Sequence, residues 1–208
     1  MARPTTRNPP RNQPQQPRSR ATVAVILDAA IRVLDKQGWE ALTTSRVAEV
    51  AGVSVGTLYQ YFAHREAIIE ALQQRELERA AAMLEQRLAR ADPITDRELV
   101  RSIIVGLFEL YQAAPALHRV LAVEGLRLSP PEQVLAFDQR SVARLRVALS
   151  LAGSRLRATN FEAAAFVLYQ SVRATMLAYF LEAPPGLNEV DLVDELTELC
   201  VRYLGAAG

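Results

Sequence analysis

From Thr22 to Leu204 the apolar residues recur every three or four positions, and no stretch keeps the strict alternation of a half-buried strand. A chain with that pattern packs helix on helix. Its breakers divide it into nine expected helices. The first begins at Thr22, carries Ile26, Leu27, Ala30, Ile31 and Leu34 on one face, and stops at Gly38. Thr43 and Thr44 offer a cap for a second that ends at Gly52, and Ser54 caps a third from Val55 to about Phe62. A fourth starts near Ala63 to Arg65 and runs towards Arg90, where Asp92 and Pro93 break it. Then follow Asp96 to Ala113, Ala116 to about Leu126, and a helix capped by Ser129, opened by Pro130 and Pro131 and lasting to roughly Leu151. Asn160 caps Phe161 to Glu182, and Asn188 caps Glu189 to Leu204.

The first twenty residues stand apart. They hold five Arg and five Pro and no apolar run, so they cannot bury surface against their ordering entropy and are expected to be a disordered arm. Of the 208 residues, 50% are hydrophobic and 23% charged, the composition of a globular chain. A single cysteine, Cys200, and two separated histidines exclude an intramolecular disulfide and a Cys/His metal cluster. A reducing compartment follows, and with no secretory pattern at the start the expectation is cytoplasmic. Ala163 to Leu181 approaches bilayer-spanning length, but Gln170, Ser171, Arg173 and Thr175 interrupt it; it is expected to be a deeply buried helix, with no membrane partner.

The formal net charge of +1 looks neutral, but it is segregated. Met1 to Arg65 carries nine basic residues against four acidic, +5, so the remainder carries −4. An anionic partner is therefore expected for the first third only.

The densest pattern lies there: Thr43 to Glu66 reads TTSRVAEVAGVSVGTLYQYFAHRE. Two short helices joined through Gly52, which tolerates the left-handed turn, form a helix-turn-helix. The second helix exposes Ser54, Val55, Gly56, Thr57, Gln60 and Tyr61 and turns Leu58 and Phe62 inward. Small and hydrogen-bonding side chains suit a major groove, where a glycine allows close backbone approach and an amide such as Gln60 pairs bidentately with adenine. Arg46, on the exposed face of the preceding helix, is either a DNA contact or merely solvated. Tyr59 is either a core aromatic or a DNA contact.

These residues resemble the TetR-type transcriptional regulators. The resemblance rests on Gly38-Trp39, Thr43-Thr44, Ala51 to Ser54, Gly56 to Tyr59, Tyr61-Phe62 and Arg65-Glu66, and covers roughly Thr22 to Leu72. It implies an all-α protein with a helix-turn-helix DNA-binding domain over 21–66 and a helical ligand-binding and dimerisation domain over 67–208. It further implies that Thr44 contacts a DNA phosphate, that Ser54, Val55, Gly56 and Thr57 enter the groove, and that Tyr59 and Tyr61 reach backbone or bases. Arg65 stands where the family usually has lysine, keeping the charge and adding a forked donor. His64 beside it is either a phosphate contact or an uncommitted surface histidine.

For the body, the resemblance implies a homodimer through helices 161–182 and 189–204, a small-molecule inducer, and a palindromic double-stranded DNA operator. The 161–182 helix is apolar on nearly every side and needs cover on two sides, with the 189–204 helix its expected neighbour; these helices either pair with a partner chain or only complete a monomer core. Phe108, Tyr111, His118, Phe137, Tyr169, Arg173, Met176 and Tyr179 are the candidate pocket residues. Arg173 needs an acceptor, either an internal carboxylate such as Glu124 or an anionic ligand. His118 is either a satisfied core histidine or a ligand contact. The competing reading is an all-helical small-molecule carrier or enzyme with an incidental helix-turn-helix, but no nucleophile with its base, metal cluster or paired carboxylates is present in pattern. No catalytic residue, metal or cofactor is expected.

Overall fold

A computed structural model describes residues 17–88, 97–123, 131–153, 156–157, 160–182 and 184–205. All regular structure among them is helical. In chain order the helices are α1 Pro17–Gln37, α2 Thr44–Ala51, α3 Val55–Tyr59, α4 Arg65–Leu88, α5 Arg97–Ala113, α6 Pro115–Val123, α7 Pro131–Ala152, α8 Phe161–Glu182 and α9 Glu189–Leu204. The described residues form two compact units, the first ending at Gln73 and the second beginning at Gln74.

In the first unit α1 packs on α2, and α2 on α3. Its core is Ile26, Ala29, Ala30, Val33, Leu42, Val47, Ala48 and Leu58, all with 0% exposure, closed by Ile68, Ile69 and Leu72 of α4. Burial of these three residues explains why the unit extends into α4 instead of ending at the expected position 66. A second correction concerns the arm: α1 starts at Pro17, so 17–20 are helical. A proline at a first helical position has no N–H to lose and arrives with a helical φ. The rest of the arm, 1–16, lies outside the described residues.

Three stops follow the expected chemistry. Gly38 sits at φ 78° and returns its N–H to the Leu34 carbonyl. Thr43 caps α2 by accepting the Arg46 N–H at 3.2 Å, and Gly52 ends it at φ 69°. Ser54 accepts the Thr57 N–H at 3.0 Å and starts α3. That helix ends at Tyr59, short of the expected Phe62, because Gln60 and Tyr61 donate to the carbonyls three residues back and tighten the turn.

In the second unit α7 packs on α8, α5 on α9, and α6 on both α5 and α8. Phe108, Leu149, Ala165, Leu168, Met176, Leu196 and Cys200 anchor its core. Pro115 is the first residue of α6, one before the expected start at Ala116, again a position that needs no N–H. Helix α9 lies chiefly against α5, tied by Arg97 to Glu198, Arg101 to Asp194 at 3.1 Å, and Gln112 to Glu189, and its Leu192, Leu196 and Cys200 share one buried core with Ala165, Leu168 and Met176 of α8. Helix α8 is long and apolar enough to cross a membrane by length and composition alone, and only 22% of its most apolar stretch is buried. It is not the deeply buried helix expected: Ala164, Ala165, Leu168 and Met176 enter the core, while Phe166 is 55% and Val167 42% exposed. The stripe of α9 divides in the same way, Leu192, Leu196 and Cys200 buried but Leu199 and Tyr203 exposed. Asp92, Pro93, Asp96, Glu124, Leu126, Ser129 and Pro130 lie outside the described residues.

Candidate nucleic-acid interface

Helix α3 is little more than one turn long, and its orientation depends on two residues. Leu58 is fully buried and Phe62 is 6% exposed, so both hold the helix to the core as expected. The other residues of the segment stay outside. Ser54, Val55, Gly56, Tyr59 and Gln60 are exposed, and Thr57 and Tyr61 are half-buried. Tyr59 is 52% exposed and so does not act as a core aromatic. Its hydroxyl lies 3.2 Å from Thr44 Oγ1, which joins the start of α2 to the end of α3 and brings two candidate phosphate contacts together. Thr57 Oγ1 lies 2.8 Å from Ser54 Oγ.

Gly56 is the telling position. A Cβ built there would meet only Ser54 Oγ at 3.8 Å, an ordinary contact, so the fold does not require glycine. Glycine within a helix nevertheless costs roughly 0.5–1 kcal/mol relative to alanine. Its absent side chain leaves room for something approaching from outside.

The cations around α3 are more committed than the sequence implies. Arg46 donates to Gln37 Oε1 at 3.1 Å and to Glu49 Oε2 at 2.6 Å. Arg65 lies 4.5 Å from the centroid of the Trp39 ring and donates to Glu66 Oε1 at 3.1 Å, so the Gly38-Trp39 pair supplies a stacking platform. His64 is not uncommitted: the Ala67 N–H donates to its Nδ1 at 3.2 Å, capping α4. Burial disfavours the Glu66 carboxylate, but a hydrogen bond from its own backbone N–H, Arg65 and His64 outweigh this and hold its pKa below the ordinary value. Arg32 of α1 also reaches back, donating to the Val50 carbonyl at 3.4 Å.

The candidate pocket residues fall into two groups in the second unit. Tyr111 is stacked between His118, at 4.3 Å, and Phe180, at 4.9 Å between ring centroids. Phe108 and Tyr179 pack on the same Phe180 at 5.5 and 5.3 Å. The polar group centres on Asp138 of α7. Its Oδ1 accepts the Tyr169 hydroxyl at 2.6 Å and lies 3.7 Å from Arg173 Nε. Among the described residues the carboxylate paired with Arg173 is therefore Asp138. Burial first, then Asp138, drives the Tyr169 pKa up. The Tyr111 pKa is raised by burial, lowered by Arg173 and raised by Asp138, so this ring sits within the field of both charges. Met176 is buried at 1% exposure; the Phe137 side chain lies outside the described residues.

His118 is satisfied internally. Its Nε2 is 3.0 Å from the Leu110 carbonyl, which can only accept, so Nε2 carries the proton. Burial drives its pKa down to about 4, the Leu110 bond opposes this, and Arg79 adds to it. Glu76 Oε2 is 3.8 Å away, but Arg79 neutralises that carboxylate at 2.9 Å. Glu76 was missed by pattern reading although its position announces it: it continues the buried row Ile69, Leu72 on α4 and is 7% exposed. Asp138 carries no comparable signal, because its importance comes from which residues face it across α8. No group of three or more metal-ligating side chains occurs among the described residues.

Comparison with known proteins agrees with this geometry. Residues 26–72 match the family described as bacterial regulatory proteins, tetR family, and residues 97–204 match the tetracyclin repressor-like C-terminal domain. The uncharacterized HTH-type transcriptional regulator YvkB of Bacillus subtilis is 39% identical over 67 residues, 32% of this chain and 35% of that protein. The HTH-type transcriptional repressor KstR of Mycolicibacterium smegmatis is 44% identical over 57 residues, 27% of this chain and 28% of that one. The chain thus spans about a third of the length of these curated relatives. Among solved structures, the fatty acid degradation regulator FadR from Bacillus halodurans superposes with a TM-score of 0.71 at 19% identity, covering 91% of this chain and 97% of that one, a likeness of fold. The second family match alone takes in 108 residues of 208. Carrying both the reading unit and the helical body in their expected order, the chain belongs to the TetR family of regulatory proteins, a family of regulators and not of enzymes.

Proposed function

We propose that the protein is a cytoplasmic, dimeric repressor that reads a palindromic operator with two copies of α3 and is released from it by a small-molecule inducer. Gly56 carries this reading: an exposed helical glycine that the fold does not need, set among Ser54, Val55, Thr57 and Gln60, fits a surface against which a DNA groove closes. Thr44, Arg46, Tyr59, Tyr61 and Arg65 surround it and supply contacts to phosphates. One α3 offers few base contacts, and a two-fold dimer doubles them. The uncovered apolar side of α8, with Phe166 and Val167, and Leu199 and Tyr203 of α9 support a partner chain there. KstR, named a repressor, supports the sign of regulation. The inducer acts from the aromatic group through His118, whose Nε2 neighbours Glu76 on α4, the helix that leads back to Arg65. Release requires a ligand that binds the two states with different affinity, by about 1–3 kcal/mol.

Selection of bound fragments from genomic DNA, followed by mobility-shift titration at several salt concentrations, tests this. A two-fold symmetric site, a steep fall in affinity with salt, and loss of binding in Gly56→Glu and Tyr61→Ala are expected. A site without two-fold symmetry contradicts the dimer, and full binding by either variant contradicts the assigned surface.

A further inference from the structure

Arg65 is the first residue of α4, and Trp39 lies in the link from α1 to α2, where Gly38 at φ 78° redirects the chain. The two meet within the first unit. Arg65 Cζ lies 4.5 Å from the centroid of the Trp39 ring, and Arg65 Nε donates to Glu66 Oε1 at 3.1 Å. These contacts occupy one face of the guanidinium and one of its five N–H donors. The four on Nη1 and Nη2 have no hydrogen-bond acceptor among the described residues, and the side chain is 34% exposed. A surface arginine ordinarily loses rotamer freedom when a ligand fixes it. Here the indole and the carboxylate restrict it beforehand.

Resting on the reading of the first unit as the DNA-contacting surface, we propose that Trp39 is a positioning residue for DNA binding: its ring, with Glu66 on Nε, holds the Arg65 fork so that Nη1 and Nη2 grip one DNA phosphate. The pairing is chemically selective. Indole is the best aromatic platform for a cation, and a guanidinium stacked on it keeps its in-plane donors free for two phosphate oxygens. A lysine ammonium is a point charge on a flexible stem and cannot be held in that way. Glu66 meets the fork at Nε and leaves the Nη edge open. Its negative charge weakens the pull of Arg65 on a phosphate, so what the Trp39–Arg65–Glu66 arrangement adds is direction, not charge. The first turn of α4, whose backbone N–H groups carry partial positive charge, favours the same anion.

A double-mutant cycle tests it, with the full chain titrated against its selected DNA fragment at several salt concentrations. Arg65→Gln is expected to weaken binding and to lower the salt slope by about 0.9 per chain, the share of one phosphate contact. Trp39→Leu is expected to weaken binding about threefold to tenfold per chain, the cost of ordering one long side chain. In the double variant the loss should be no larger than in Arg65→Gln alone, and Trp39→Phe, which keeps a ring, should recover most of the affinity. Trp39 is the chain's one tryptophan, so its emission reports on the stack even where Trp39→Leu fails to fold. Acrylamide quenching should rise in Arg65→Gln and fall when DNA is added to the unmodified chain. Additive losses, a Trp39→Phe variant no better than Trp39→Leu, or quenching that DNA leaves unchanged overturns the proposal. Full binding by Arg65→Gln while Gly56→Glu binds nothing removes this phosphate contact and leaves the α3 surface standing. An unmodified chain that selects no DNA removes the underlying reading and the proposal with it.

Discussion

The two units place their polar chemistry in opposite locations. In the first, the fully buried side chains among the described residues are apolar and the candidate functional groups are exposed or half-buried, held by caps and by contacts such as Arg65 on Trp39. In the second, polar groups are inside: Glu76, Ser141 and Thr197 are the buried polar residues among those described, and all three belong to it. Buried polar groups carry a desolvation cost that a surface group escapes. A unit that reads an external surface can keep its chemistry outside, whereas one that senses a small molecule must keep chemistry within reach of its core. The contrast makes quantitative demands on each side.

The largest concerns the support beneath the reading surface. Leu58→Ala removes a fully buried side chain from a helix of five residues and should cost about 2–5 kcal/mol, read from urea unfolding followed by circular dichroism. A loss below about 0.5 kcal/mol, the range of ordinary surface changes, would mean that α3 does not depend on the core and would erase the contrast.

Next comes the buried imidazole. His118 is held neutral, with a pKa of about 4 against an ordinary 6.5, so the unfolded chain binds more protons between these values. Stability should therefore be complete above about 6.5 and fall as pH drops towards about 4, by up to roughly 3 kcal/mol from this one group. His118→Phe should flatten that part of the stability–pH curve. An unchanged slope would show that the histidine is not shielded from water.

Smaller still, Ser54→Ala removes the acceptor for the Thr57 N–H and should cost about 1 kcal/mol while leaving the second unit unaltered. The least change in stability belongs to Gly56→Ala, and its sign is the informative part. The added methyl meets only an ordinary contact in the free protein and should stabilise it by about 0.5–1 kcal/mol, raising Tm, while weakening DNA binding. Gain of stability with undiminished DNA binding would remove the case for close approach at this residue.

Much of the first unit was legible because its determinants are local. Gly38, Gly52, Ser54 and Thr43 each act on neighbours within a few positions, and the inward turn of Leu58 and Phe62 follows from helical spacing. What escaped were partners distant in sequence: Arg32 on Val50, Arg65 on Trp39, and Arg46 on Gln37. The end of α3 was overshot because apolar spacing continues through Phe62 after the hydrogen bonding has tightened. In the second unit the helices were readable from their stripes and breakers, but their pairing was not. A stripe states that a helix is covered and leaves open by what, so the packing of α9 on α5 could not be read from it. For the same reason Arg173 could be recognised as needing an acceptor, while Asp138 could be identified only once α7 and α8 were packed together.

Leu58 and Phe62 hold α3 in place, whereas Val55, Gly56 and Gln60 face outward and contribute nothing to the core. On the proposed reading, mutations that change the letters read by the protein and mutations that threaten its folding thus fall on different codons. After gene duplication, a copy could drift to a new operator one outward residue at a time, each intermediate remaining folded, with the sensing body inherited intact.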